Sequence, residues 1–102
     1  MMPYMEAMAK MEENAKDVDE VNGLLKTWNT YIGDIAFLMF KSVRPDPYTL
    51  ELTLSETKNI KLFPQGNKRS IRMNPGVTEC VKGQIEDVKS GFNFGTMNFA
   101  TS

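Results

Sequence analysis

At 102 residues, with 41% hydrophobic and 25% charged side chains, the chain has the size and balance of one soluble globular domain, not of a disordered or fibrous protein. A formal net charge of −1 gives no overall pull toward nucleic acid or an anionic membrane. One cysteine, Cys80, excludes an internal disulfide, and the lack of histidine excludes a histidine triad, general base or metal ligand.

No segment approaches the roughly 18 consecutive apolar residues of a membrane-spanning helix. The first residues, MMPYMEAMAKMEE, have no basic stretch followed by an apolar one, so no signal peptide is read there. The expected setting is cytoplasmic. It becomes extracellular or cell-surface only if residues were removed before Met1.

In chain order, Pro3 suits the first turn of a helix, and Glu6 suits the positive end of its dipole. Met5, Met8, Met11 and Ala15 then form a thin apolar stripe at helical spacing. From Val18 to Met39 the spacing is denser: Val18, Val21, Leu25, Trp28, Ile32, Ile35 and Met39 recur in steps of three and four. Leu24, Tyr31 and Leu38 widen this face. The pattern predicts one long amphipathic helix over about 4–43, resting its second half on a sheet. Asn22-Gly23 offers a competing break, since glycine in a helix interior costs about 1 kcal/mol.

Arg44-Pro45-Asp46-Pro47 ends any helix, because a residue before proline is pushed out of the α region. Beyond it the period becomes two. Tyr48, Leu50, Leu52 and Leu54 alternate with Thr49, Glu51 and Thr53, a strand pattern. Ile60–Phe63 and Arg69–Met73 read as a hairpin closed by Pro64-Gln65-Gly66-Asn67. Val77–Val88 fits either a strand or a short helix. A last strand, Phe92–Phe99, changes phase at Gly95 as a bulge would. The fold expected is α+β, a long N-terminal helix on a small antiparallel β-meander, in a single domain over 1–102 with its β-rich part at 48–100.

Chemistry is sparse. Cys80 sits in an apolar run and reads as a small buried hydrophobe. Glu12, Glu13, Asp17, Asp19 and Glu20 lack the spacing of a calcium loop and read as a solvated face. Gly91 and Gly95 make no phosphate-binding motif. The chain is therefore expected to be neither an enzyme nor the holder of a cofactor or metal.

Two features point to binding. Methionine adapts to irregular partners, so Met5, Met8, Met11 and Ala15 suggest a protein contact, with a second copy as the expected partner. Lys58, Lys61, Lys68, Arg69 and Arg72 fall within 57–78, where no acidic residue occurs. Up to Pro47 the balance is reversed, with five basic and eight acidic side chains. The basic hairpin is thus a candidate polyanion contact, although the aromatic signatures of RNA-binding sheets are absent. The function expected is self-association as an assembly module, with nucleic-acid binding as the alternative. A further alternative comes from architecture: a long helix followed by a β-meander resembles the soluble part of type IV pilins and pseudopilins. That resemblance implies an apolar membrane helix upstream of Met1.

Overall fold

A computed structural model of the chain describes residues 19–21 and 23–101. Every regular element among them is a β-strand: β1 Asp19–Val21, β2 Leu25–Ile32, β3 Ile35–Ser42, β4 Tyr48–Ser55, β5 Ile60–Phe63, β6 Lys68–Met73, β7 Thr78–Ile85 and β8 Thr96–Thr101. They form two antiparallel sheets, a five-stranded one in the order β1-β2-β3-β7-β5 and a three-stranded one in the order β6-β4-β8.

The two sheets share one core. Leu25, Leu38, Phe40, Val81 and Ile85 of the larger sheet pack with Leu50, Leu52, Leu54 and Met73 of the smaller. In β4 the alternation Tyr48, Leu50, Leu52, Leu54 puts every second side chain into this core, as its period of two requires. The Tyr48 hydroxyl donates to the Leu24 carbonyl at 3.0 Å, tying β4 to the start of β2. Phe94, from the irregular stretch before β8, closes the core. Gly95 next to it has φ 82° and lies so close to β4 that an added Cβ would strike the Ser55 carbonyl oxygen.

The long helix is a misreading. Residues 25–42 form a hairpin in which Leu25 pairs with Ser42 and Ile32 with Ile35. Gly33 and Asp34 make its two-residue turn, and the positive φ of Gly33, 62°, is what such a turn requires at its first position. Steps of three and four arose because both faces of this hairpin carry apolar side chains. Leu25 faces the three-stranded sheet, while Trp28, Ile32, Ile35 and Met39 face the other way. A strand buried on both faces loses its alternation, and β3 accordingly reads IAFLMF without a break. Gly23 also lies in a turn, with φ 66° between β1 and β2. The N-terminal part of the expected helix, 4–18, lies outside the described residues.

Other boundaries change as well. Ile60–Phe63 and Arg69–Met73 do not form a hairpin: β5 pairs with β7 and β6 with β4, so the 64–67 loop passes from one sheet to the other. The strands are therefore no meander. Residues 78–85 form a strand, and the last strand starts after Gly95 instead of at Phe92. No helix among the described residues is long and apolar enough to cross a membrane. The pilin resemblance rested on a long helix preceding the sheet, and the described residues contain none.

Candidate functional site

The outward faces of the two sheets differ in chemistry. On the three-stranded sheet, Thr49 pairs with Arg72, Glu51 with Ser70 and Thr53 with Lys68, giving a polar surface. There Ser70 Oγ donates to Glu51 Oε1 at 2.9 Å and Arg72 Nη1 to Thr49 Oγ1 at 3.3 Å. On the five-stranded sheet, register places Trp28 beside Met39, Thr30 beside Phe37 and Ile32 beside Ile35. The same row continues through Cys80 and Lys82 of β7 to Phe63 of β5. Its centre is a second apolar cluster of Trp28, Phe37 and Met39, with Ile35 and Cys80 packed at its margin.

One end of that face is open. Of the six large apolar side chains that are exposed, Ile32 and Phe63 stand on this face near the β2–β3 turn, while Tyr31, on the opposite side of β2, and Val88 flank the same end. Ile32 and Phe63 are 48% and 47% exposed, and with Ile35, Phe37 and Lys82 they line a cleft of about 430 Å³. Behind the turn, Tyr31 meets Phe92 edge to face at 6.0 Å, beside a hollow of about 320 Å³ that Val88, Lys89 and Ser90 also line. Isolated exposed apolar residues are ordinary; their gathering at one end makes that end a candidate contact surface.

Polar side chains hold this end in shape. Gln84 Nε2 donates to Asp34 Oδ2 at 2.6 Å, fixing the hairpin turn to β7. Asn59 has φ 62°, a conformation asparagine tolerates, and its amide binds the 87–91 loop. Its Nδ2 donates to the carbonyls of Asp87 and Ser90 at 2.8 and 3.2 Å, while its Oδ1 accepts from the Asp87 N–H at 2.8 Å. Neither Asn59 nor Gln84 is singled out by sequence reasoning. The turn itself was signalled by Gly33-Asp34 between two β-rich runs.

The residues expected from the sequence are placed differently. Met5, Met8, Met11 and Ala15 lie outside the described residues, as do Glu12, Glu13 and Asp17 of the acidic cluster. The five cations do not converge. Lys61 stands on the outward face of the larger sheet, whereas Lys68 and Arg72 stand on that of the smaller. Lys58 forms an isolated bridge with Asn93. Arg69 is committed to its own loop, with Nη2 donating to the Pro64 carbonyl at 2.6 Å and Nη1 to the Gly66 carbonyl at 2.8 Å. Burial pushes the Cys80 thiol above its ordinary 9.0; the Lys82 ammonium offsets part of this and the Glu79 carboxylate adds to it. A thiol so placed holds its proton at neutral pH and is a poor nucleophile.

Compared with known proteins, the chain matches no family model, no curated protein and no solved structure. The reading of its function therefore rests on the geometry of this face.

Proposed function

We propose that the chain is a non-enzymatic assembly module that self-associates through the open end of the five-stranded sheet. The observation that carries this reading is the gathering of Tyr31, Ile32, Phe63 and Val88 at one end. Contact surfaces are enriched in aromatic residues such as Tyr31 and Phe63 and are bounded by a polar rim. A second copy is the partner because the rim carries both signs, Asp34 against Lys82 and Lys89. A two-fold contact places the same patch on both subunits, so mixed charge within the patch can complement itself. The net charge of −1 adds little long-range repulsion between copies. A cytoplasmic setting suits the single thiol of Cys80.

This reading moves the contact from Met5, Met8, Met11 and Ala15 to the β2–β3 turn and the end of β5. The polyanion alternative has less support, since its cations are divided between two sheets and Arg69 is held by backbone carbonyls. Light scattering behind a sizing column, over a concentration series, tests the proposal. A dimer is expected for the native chain, and Ile32→Asp or Phe63→Asp is expected to give a folded monomer, since both positions are half exposed. A dimer that survives both changes places the contact elsewhere.

A further inference from the structure

The cleft beside the β2–β3 turn has the make-up of a small-ligand site. Its volume, about 430 Å³, lies toward the lower end of the roughly 300–1,000 Å³ typical of such sites. Of the side chains that line it, Ile32, Ile35, Phe37 and Phe63 are hydrocarbon, and Lys82 is the one cation. They come from four strands that lie in the order β2-β3-β7-β5. Three inter-strand spacings of about 4.8 Å span roughly 14 Å, so the cleft is elongated. A lysine in such a wall lays its methylenes along the apolar surface and turns its ammonium toward water. An elongated apolar trough with one cation at its rim matches a single hydrocarbon chain that ends in an anion.

Charge on this side of the sheet agrees. The outward positions of β2, β3, β5 and β7 carry Lys26, Lys41, Lys61 and Lys82, and no acid. Two acids flank them among the described residues. Glu20 of β1 pairs with Lys26 at the end away from the turn, and Asp34 lies in the turn, where its Oδ2 accepts from Gln84 Nε2 at 2.6 Å. We propose that the cleft binds a free single-chain carboxylate amphiphile. Its hydrocarbon chain lies against Ile32, Ile35, Phe37 and Phe63, and its carboxylate meets the Lys82 ammonium. Ile32 and Phe63 also stand in the proposed contact between copies, so ligand and second copy exclude each other. That competition rests on the self-association reading; the ligand site itself does not.

Trp28 is the only tryptophan and shares a cluster with Phe37, so energy transfer from it reports on the cleft. The probe is cis-parinarate, a polyene carboxylate that accepts tryptophan emission. It is added below its micelle concentration to the full chain at a dilution where the chain is monomeric. Transfer should appear, and dodecanoate should abolish it. Dodecanol, of equal length and no charge, should compete about fivefold less well, the worth of one exposed ion pair. Phe63→Asp should remove transfer, and Lys82→Gln should remove the preference for carboxylate over alcohol, with the β circular dichroism retained in both. Absence of transfer, or equal competition by dodecanoate and dodecanol in the native chain, overturns the proposal without either variant. Binding to anionic phospholipid vesicles but not to free dodecanoate also overturns it, in favour of a membrane surface. Where the native chain is a dimer, saturating dodecanoate should return it to a monomer; a dimer that persists with parinarate bound overturns the competition. A chain that is monomeric at every concentration overturns self-association alone, and energy transfer still decides the ligand.

Discussion

Arg69 and Cys80 show how far a side chain's role can lie from its class. Arg69 was grouped with four other cations, yet its guanidinium serves the backbone of the loop that carries the chain from one sheet to the other. A planar fork reaches the Pro64 and Gly66 carbonyls together, which a lysine ammonium on a single stem cannot do. Arg69→Lys should therefore lose about 1 kcal/mol in denaturant unfolding, as much as Arg69→Ala should lose. Full rescue by lysine would mean that charge alone matters there. Cys80, expected as a small buried hydrophobe, is half-buried at the margin of the Trp28 cluster, and its thiol carries a pH signature. Its folded pKa lies above the ordinary 9.0 because burial opposes the thiolate. Its contribution to stability is complete below about 9 and is lost as the pH rises through the folded value, where the unfolded chain has already released the proton. The stability difference between the native chain and Cys80→Ala should thus narrow or change sign above pH 9. A difference that does not vary with pH would contradict the placement of the thiol.

At the scale of elements, the sequence was legible wherever one face of a strand meets water. Tyr48–Leu54 alternates cleanly because β4 turns Thr49, Glu51 and Thr53 away from the core. It was illegible for β2 and β3, whose two faces are both apolar, so that period two is erased and a helical period appears in its place. Local signals pointed the other way. Thr27–Ile32 is rich in β-branched and aromatic residues, and Gly33-Asp34 is a two-residue turn that a helix would have had to absorb. In this hairpin local propensity and turn chemistry outweigh spacing. The same double-sided pattern hid the open end of the sheet, since exposed Tyr31 and Ile32 look like core residues when placed on a helix. The turn gives a direct check. Gly33→Ala should cost about 1 kcal/mol in unfolding free energy, because φ 62° is strained for alanine, while Gly33→Asn should cost less. Equal stability of all three would argue against the hairpin.

For the whole molecule, two sheets bury one shared core and leave outward faces of opposite character. The polar face of β6-β4-β8 is suited to water, while the apolar face of the larger sheet divides into a covered centre and an open end. On the proposed reading, the open end is the part of this face that meets another copy. Solution mass across a concentration series, for the native chain beside Phe63→Asp, tests this division most directly. The expected result is a native dimer that dissociates on dilution and a Phe63→Asp variant that stays monomeric with unchanged β circular dichroism. A native chain that remains monomeric up to about 1 mM, a concentration that would reveal even a weak association, would contradict it.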